Sequence, residues 1–282
     1  MNKQDPKNSR LVGADLTVGY GETPILKGVD FKVPPNQVTV LIGPNGSGKS
    51  TLLKTLSRIL QPQGGQVLLE GKDIHQYQTR DVAKKLAVLP QGPIAPEGLT
   101  VKELVSQGRF SHQSLFRQWS ADDETAVNRA MDITQVREFE DRLVDDLSGG
   151  QRQRCWIAMV LAQETDLVLL DEPTTYLDLK VQVDLMNLLV QLAHEHQRTL
   201  VVVLHELNLA AAYGDYLVMM RQGVICEQGK PRDVFTRSNL KKVFDLDANV
   251  FEEPESKQLI CVPDYGVRPV CSGNTVGDHN EC

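Results

Sequence analysis

Apolar residues in the first third of the chain gather into short runs that predict strands. "LVGADLTV" from Leu11, "ILKGVDFKV" from Ile25 and "VTVLIG" from Val38 have the length and β-branched content of strands. The period then changes. From Lys49 to Leu60 the apolar positions are Leu52, Leu53, Leu56, Ile59 and Leu60, which predicts a helix closed by the turn "QPQGG". "QVLLEG" and "LAVLPQ" read as two more strands. From Thr100 to about Asp146 the texture is helical, with a capping box at Thr100–Glu103 and its looser form at Ser120–Asp123. Strand patterns return at "DLVLLDEP" and "RTLVVVLHE", separated by a helix from Leu179 to Glu195. "YLVMMRQGVICEQG" predicts a hairpin turning at Gln222-Gly223. Short helices, a Pro-containing segment and a polar tail from Cys271, expected to be disordered, complete the chain. Alternating strands and helices predict an α/β domain with a largely parallel sheet, and the helix-only block is a subdomain inserted into it.

Composition narrows the class. The chain has 282 residues, enough for one large domain or two modest ones, and no internal repeat. Its formal charge of −7 argues against a general nucleic-acid binder. The polar start "MNKQDPKNSR" has no apolar h-region, and aliphatic runs such as Leu200–Leu204 are too short to span a bilayer. A soluble or peripheral protein is expected. The five cysteines, at 155, 226, 261, 271 and 282, are odd in number and lack C-x-x-C spacing, so unpaired thiols are expected. His194 and His196 lie two apart in a predicted helix, do not share a face, and are not expected to ligate a metal.

Three stretches carry chemistry. "GPNGSGKST", Gly43 to Thr51, fits G-x-x-x-x-G-K-[ST] between an apolar strand and a helix. Its backbone can wrap phosphates, with Lys49 on the β- and γ-phosphates and the Ser50 hydroxyl on Mg²⁺. "LVLLDEP" ends a buried strand in two carboxylates, where ligands bind in parallel sheets. Asp171 suits Mg²⁺, and Glu172 suits the attacking water. "LSGGQRQRC" places Ser148, Gly149 and Gly150 at a helix start that favours an anion. Two adjacent glycines cost helix stability unless the backbone must approach something closely. A plain N-cap at Ser148 accounts for the serine as well.

Taken in order, "GPNGSGKST", "LSGGQRQR", "LVLLDEP", "YLD" and "LHE" resemble the ATP-binding cassette ATPases, from about Leu11 to Cys261. The resemblance implies a P-loop NTPase core with a mainly parallel sheet, an antiparallel β subdomain and an inserted helical subdomain. The domain would run over 11–262, the insertion over about 97–160, and a partly disordered tail over 263–282. It implies ATP and Mg²⁺, with two copies facing head to tail. Gly43, Pro44, Asn45, Gly46, Ser47, Gly48, Lys49, Ser50 and Thr51 would cradle the phosphates. Ser148, Gly149, Gly150 and Gln151 would close on the neighbour's γ-phosphate. Tyr20 matches the aromatic that stacks on adenine, although a core or turn tyrosine would read the same. Gln91 matches the loop glutamine that reaches Mg²⁺ and water, and His205 the histidine on the γ-phosphate. Asp178 matches the aspartate that bridges the dimer, and would equally cap the next helix. Catalysis would thus fall to Glu172, His205 and Gln91, and the metal to Ser50, Gln91 and Asp171.

Within that family, "TVKELVSQGRFSH", "LLDEPTTYLDL", "HELNLAAAYGDYLVMMRQGVICEQGKP" and "VFDLDANVFEEPESKQLICVP" resemble the ATPases of iron–siderophore importers, a group including ferric citrate, haem and cobalamin uptake. That implies a homodimer bound to separate integral membrane permease subunits on the cytoplasmic face of the membrane. An extracytoplasmic binding protein would act indirectly, and no nucleic acid is implied. A cytosolic cassette ATPase of iron–sulfur cluster assembly is the alternative, as are haem and cobalamin import. Cys155 departs from the family's commoner small or apolar residue, and the tail beyond Pro269 matches nothing.

Overall fold

The computed structural model describes residues 9–21, 23–113 and 119–264. In chain order the elements are β1 Leu11–Tyr20, β2 Thr23–Lys32, β3 Val38–Ile42, α1 Lys49–Leu56, β4 Gly64–Leu69, β5 Lys72–Asp73, α2 Thr79–Ala83 and β6 Leu86–Leu89. The helical stretch follows as α3 Val101–Ser106, α4 Ala121–Ile133 and α5 Gly149–Ala162. Then come β7 Leu167–Asp171, α6 Leu179–His194, β8 Thr199–Val203, α7 Leu207–Tyr213, β9 Tyr216–Arg221 and β10 Val224–Gly229. The described chain closes with α8 Pro231–Val234, α9 Arg237–Phe244, β11 Ala248–Glu252 and β12 Leu259–Pro263.

A six-stranded sheet in the order β10-β9-β3-β8-β7-β6 forms the centre, parallel except for the edge strand β10. Every residue of β3, β7 and β8 is buried, as continuous apolar runs in a parallel sheet require. The period of two sends their side chains to opposite cores. Leu41, Leu169 and Val201 join a core closed by α1 and the antiparallel sheet β2-β1-β4-β5. Val40, Leu170 and Val202 join the core beneath the helices, with Ile157 of α5 and Leu189 of α6. The capping boxes at Thr100 and Ser120 are both formed. Cys155, Cys226 and Cys261 are free thiols, and burial pushes the Cys155 thiol up to about 12. Cys271, Cys282 and the rest of the tail from 265 lie outside the described residues. No helix among the described residues is long and apolar enough to cross a membrane.

Two expectations are corrected. The first helix stops at Leu56, four residues before Leu60. Arg58 turns left-handed at φ 64, and Ile59 N–H donates to the Lys54 carbonyl at 2.9 Å, a Schellman closure that overrides the helical spacing of Ile59 and Leu60. The segment after α9 is a β-hairpin, β11 with β12. Its anchor is tertiary: the Asn208 amide bonds both the N–H and the C=O of Cys261, at 2.8 and 3.3 Å.

Candidate active site

The carboxyl ends of β3, β8, β7 and β6, neighbours in the sheet, bring the candidate residues together. After β3 the chain turns through Gly43–Gly48 into α1. Gly48 sits at φ 102, a conformation that a side chain rarely adopts, and caps the helix without a side chain. Asn45 and Gly46 face solvent, while Ser47, Lys49 and Thr51 are buried. The Lys49 ammonium folds back onto its own loop, donating to the carbonyls of Gly43 at 2.8 Å and Pro44 at 3.2 Å. Burial lowers its pKa, and Glu172 and Asp171 partly counter this.

β7 ends on Asp171, whose Oδ1 accepts the Ser50 hydroxyl at 2.9 Å. Burial raises the Asp171 pKa; the Ser50 bond pulls it back, and the Glu172 charge pushes it up further. Glu172 follows in the left-handed region at φ 53, an uncommon conformation for a residue with a side chain. Its carboxylate is shared between strands. Oε2 accepts the Gln91 amide from the loop after β6, and Oε1 meets His205 Nε2 from the end of β8. The Thr175 hydroxyl donates to the same Oε2 at 3.3 Å, a contact that no motif announced.

Ser148 and its neighbours form a second group. The Ser148 hydroxyl accepts from Gln151 N–H at 3.3 Å, and Gln151 Oε1 accepts from Ser148 N–H at 3.0 Å, closing a capping box at the start of α5. A Cβ on Gly150 would stand 2.6 Å from Val181 Cγ1, so α5 and α6 can meet only through a glycine there. Asp178 caps α6, accepting from Val181 N–H at 3.0 Å. Among the described residues no hydrogen bond joins Ser148–Gln151 to Gly43–Thr51. The loop between β7 and α6 shows Tyr176 to solvent, 99% exposed, and the first residue of α6, Leu179, is 71% exposed.

A phosphate loop, a strand-end carboxylate pair and a detached Ser-Gly-Gly helix start now stand in one architecture. The profile of the ABC transporter family matches residues 26–175. The chain belongs to the ABC transporter family. This ABC ATPase is 50% identical over 248 residues to the "Probable siderophore transport system ATP-binding protein" of Bacillus subtilis (strain 168), covering 88% of this chain and 90% of the relative. It is 45% identical over 255 residues to the ferric enterobactin transport ATP-binding protein of Escherichia coli (strain K12), covering 90% of this chain and 94% of the relative. Its fold is similar to the dimeric structure of a post-hydrolysis ATP-binding cassette bound to ADP and Pi. There the TM-score is 0.69 at 27% identity, covering 79% of this chain and 99% of that one.

The geometry of the ABC ATPase fits the groups its family implies. Ser47 Oγ is buried without a hydrogen-bond partner inside the loop, and a Cβ on Gly46 would meet nothing within 4 Å. Among the described residues, the hydrogen bonds of the Lys49 ammonium go only to the backbone carbonyls of Gly43 and Pro44. Ser50 and Asp171 offer paired hard oxygens of the kind Mg²⁺ takes. Of the expected residues, Lys49, Ser50, Asp171, Glu172, Gln91 and His205 converge. Ser148, Gly149, Gly150, Gln151 and Asp178 form their own group beside α6. The side chain of Tyr20, at the end of β1, lies outside the described residues.

Proposed function

We propose that this ABC ATPase powers uptake of an iron chelate of the siderophore type through separate permease subunits, as a peripheral homodimer on the cytoplasmic face of the membrane. The observation that carries the reading is the carboxylate of Glu172, shared by Gln91 and His205 and set next to the Ser50–Asp171 pair. Lys49 binds the β- and γ-phosphates once ATP displaces the loop carbonyls from its ammonium. Ser50, Asp171 and Gln91 would hold Mg²⁺. The ion, when bound, neutralises charge on the phosphate oxygens. Glu172 accepts a proton from the water that attacks the γ-phosphorus, as the bond from that phosphorus to the β-γ bridging oxygen breaks, giving ADP and phosphate. His205 and Gln91 orient the carboxylate and the water. Ser148–Gln151 of the second copy complete the phosphate shell from the opposite side.

The cargo reading rests on the relatives, whose names specify siderophore and ferric enterobactin transport. A substrate-binding protein on the far side would deliver the chelate. The test is to purify the tagged chain from membranes and identify what accompanies it. A multi-span permease should co-purify, and ATPase activity of the reconstituted complex should rise with a ferric siderophore and its binding protein. Recovery with soluble iron–sulfur assembly proteins instead would overturn the reading.

A further inference from the structure

The ATP chemistry leaves unused the segment Gly108–His112, which lies where the helical layer meets the core. Arg109 is buried in it, 3% exposed. Its Nε donates to Asp123 Oδ1 at 2.9 Å, and its Nη1 donates to the Ala162 carbonyl and Glu164 Oε2, each at 2.7 Å. Asp123 stands in the first turn of α4, and Ala162 is the last residue of α5, so one cation fastens the two helices. The segment lies flat on α5: a Cβ on Gly108 would come 2.1 Å from the Met159 carbonyl oxygen.

The same segment is held from the core side. Arg80, an exposed residue of α2, donates through Nε to the Ser111 carbonyl at 2.7 Å and through Nη2 to the Gln113 carbonyl. His112 Nε2 lies 3.0 Å from the Gln163 carbonyl, and the Gln163 amide reaches the carbonyls of Ala83 and Leu86 at the foot of β6. A planar fork across two carbonyls fixes direction, which a lysine cannot do. The clamp therefore grips two elements at the ends away from the nucleotide. β6 runs from it toward Gln91, and α5 runs from it back to Ser148. α5 has 14 residues, about 21 Å at ~1.5 Å each, so a tilt of roughly 5° at the clamp moves Ser148 by about 2 Å.

We propose that Arg80 is a positioning residue that fixes the attitude of the helical layer on the core and, through α5, the placement of Ser148. Its effect on turnover rests on the composite-site reading above; the mechanical part does not. Arg109 is a poor probe, because its loss leaves Asp123 as a buried carboxylate without its cation. Arg80→Ala removes only an exposed donor. Spin labels on noncanonical residues at Thr125 in α4 and Lys32 in β2, both exposed, report the attitude directly with the native cysteines in place. The wild-type full chain should give one narrow interlabel distance. Arg80→Ala should broaden it, and Arg80→Lys should not restore it. In the permease complex, kcat should fall by roughly tenfold to 10²-fold, since a misplacement of about 1 Å can already cost about 10²-fold, with KM for ATP and the thermal midpoint unchanged. An unbroadened distance in Arg80→Ala overturns the clamp. A broadened distance with unaltered kcat overturns the positioning role. Whether the sites are composite at all is reported separately by mixed dimers, so the two failures are distinguishable.

Discussion

Glu172 concentrates the demands on single residues. It carries a left-handed backbone, receives Gln91 and Thr175, and meets His205. Glu172→Gln keeps the size, the reach and the same backbone requirement, so the fold should persist. It removes the proposed proton acceptor and a negative charge that would repel the γ-phosphate. ATP binding should hold or tighten, and turnover should drop by roughly 10²-fold or more; near-wild-type turnover would show that another group handles the water. Asp123 makes a different prediction, about stability. Burial pushes its carboxyl up, but hydrogen bonds from Ser120 and Arg109 outweigh that and hold its pKa below the usual value. A depressed carboxyl stabilises the fold fully above its unfolded pKa of about 4 and loses that contribution as pH falls through the folded value. Asp123→Asn should therefore cost about 1–3 kcal/mol at neutral pH. The gap to wild type should narrow as urea midpoints are taken from pH 6 toward pH 3. A gap that widens with acid would contradict the sign.

At the scale of elements, the paired glycines of α5 separate into two roles. Gly150 is steric, since a Cβ would press on Val181, a stiff β-branched neighbour. Gly150→Ala should lower stability by about 1–3 kcal/mol, less whatever helix propensity returns. Gly149 has no such constraint: a Cβ there would meet only Leu177, at 3.9 Å. Gly149→Ala should leave the fold as stable or more so, yet cut ATPase activity if that exposed helix start must approach a phosphate. Thermal midpoints and turnover measured on both variants check the split, and equal loss of stability in the two would remove it. The sequence already marked the helix start and the double glycine, because capping and glycine are local signals. It marked the central strands for the same reason: continuous apolar runs bounded by turns have few other uses. The end of α1 and the β11–β12 hairpin were not legible. Arg58 adopts a left-handed turn that usually needs glycine, and "ANVFE" lacks clean alternation and pairs with β12, which Asn208 anchors at Cys261 from 53 positions away in sequence. At the site, each motif named its residues, but the meeting of Gln91, Thr175 and His205 on one carboxylate is a property of strand order, which no motif contains.

For the whole molecule the main question is where Ser148 does its work. Within one chain it caps its own helix and has no described bond to the phosphate loop, while its hydroxyl proton and the first amides of α5 remain to donate. On the segment whose Leu177 and Val181 lie against Gly149 and Gly150, Tyr176 and the first residue of α6, Leu179, expose large apolar side chains. Such surface is costly unless something covers it. Both features support a second copy facing the first, with each ATP between the phosphate loop of one and Ser148 of the other. A defined mixed dimer decides the matter. One subunit carries Lys49→Ala, which removes the charge proposed to bind the phosphates; the other carries Ser148→Arg, which fills the helix start. If the sites are composite, both changes fall on the same ATP and the other site is chemically whole. If each site is self-contained, each subunit is damaged in its own and none survives. Nucleotide trapping on the mixed dimer should thus retain one ATP equivalent per dimer, whereas dimers with either change in both subunits retain none. No trapped nucleotide in the mixed dimer would place Ser148 at its own subunit's phosphates and refute the facing arrangement.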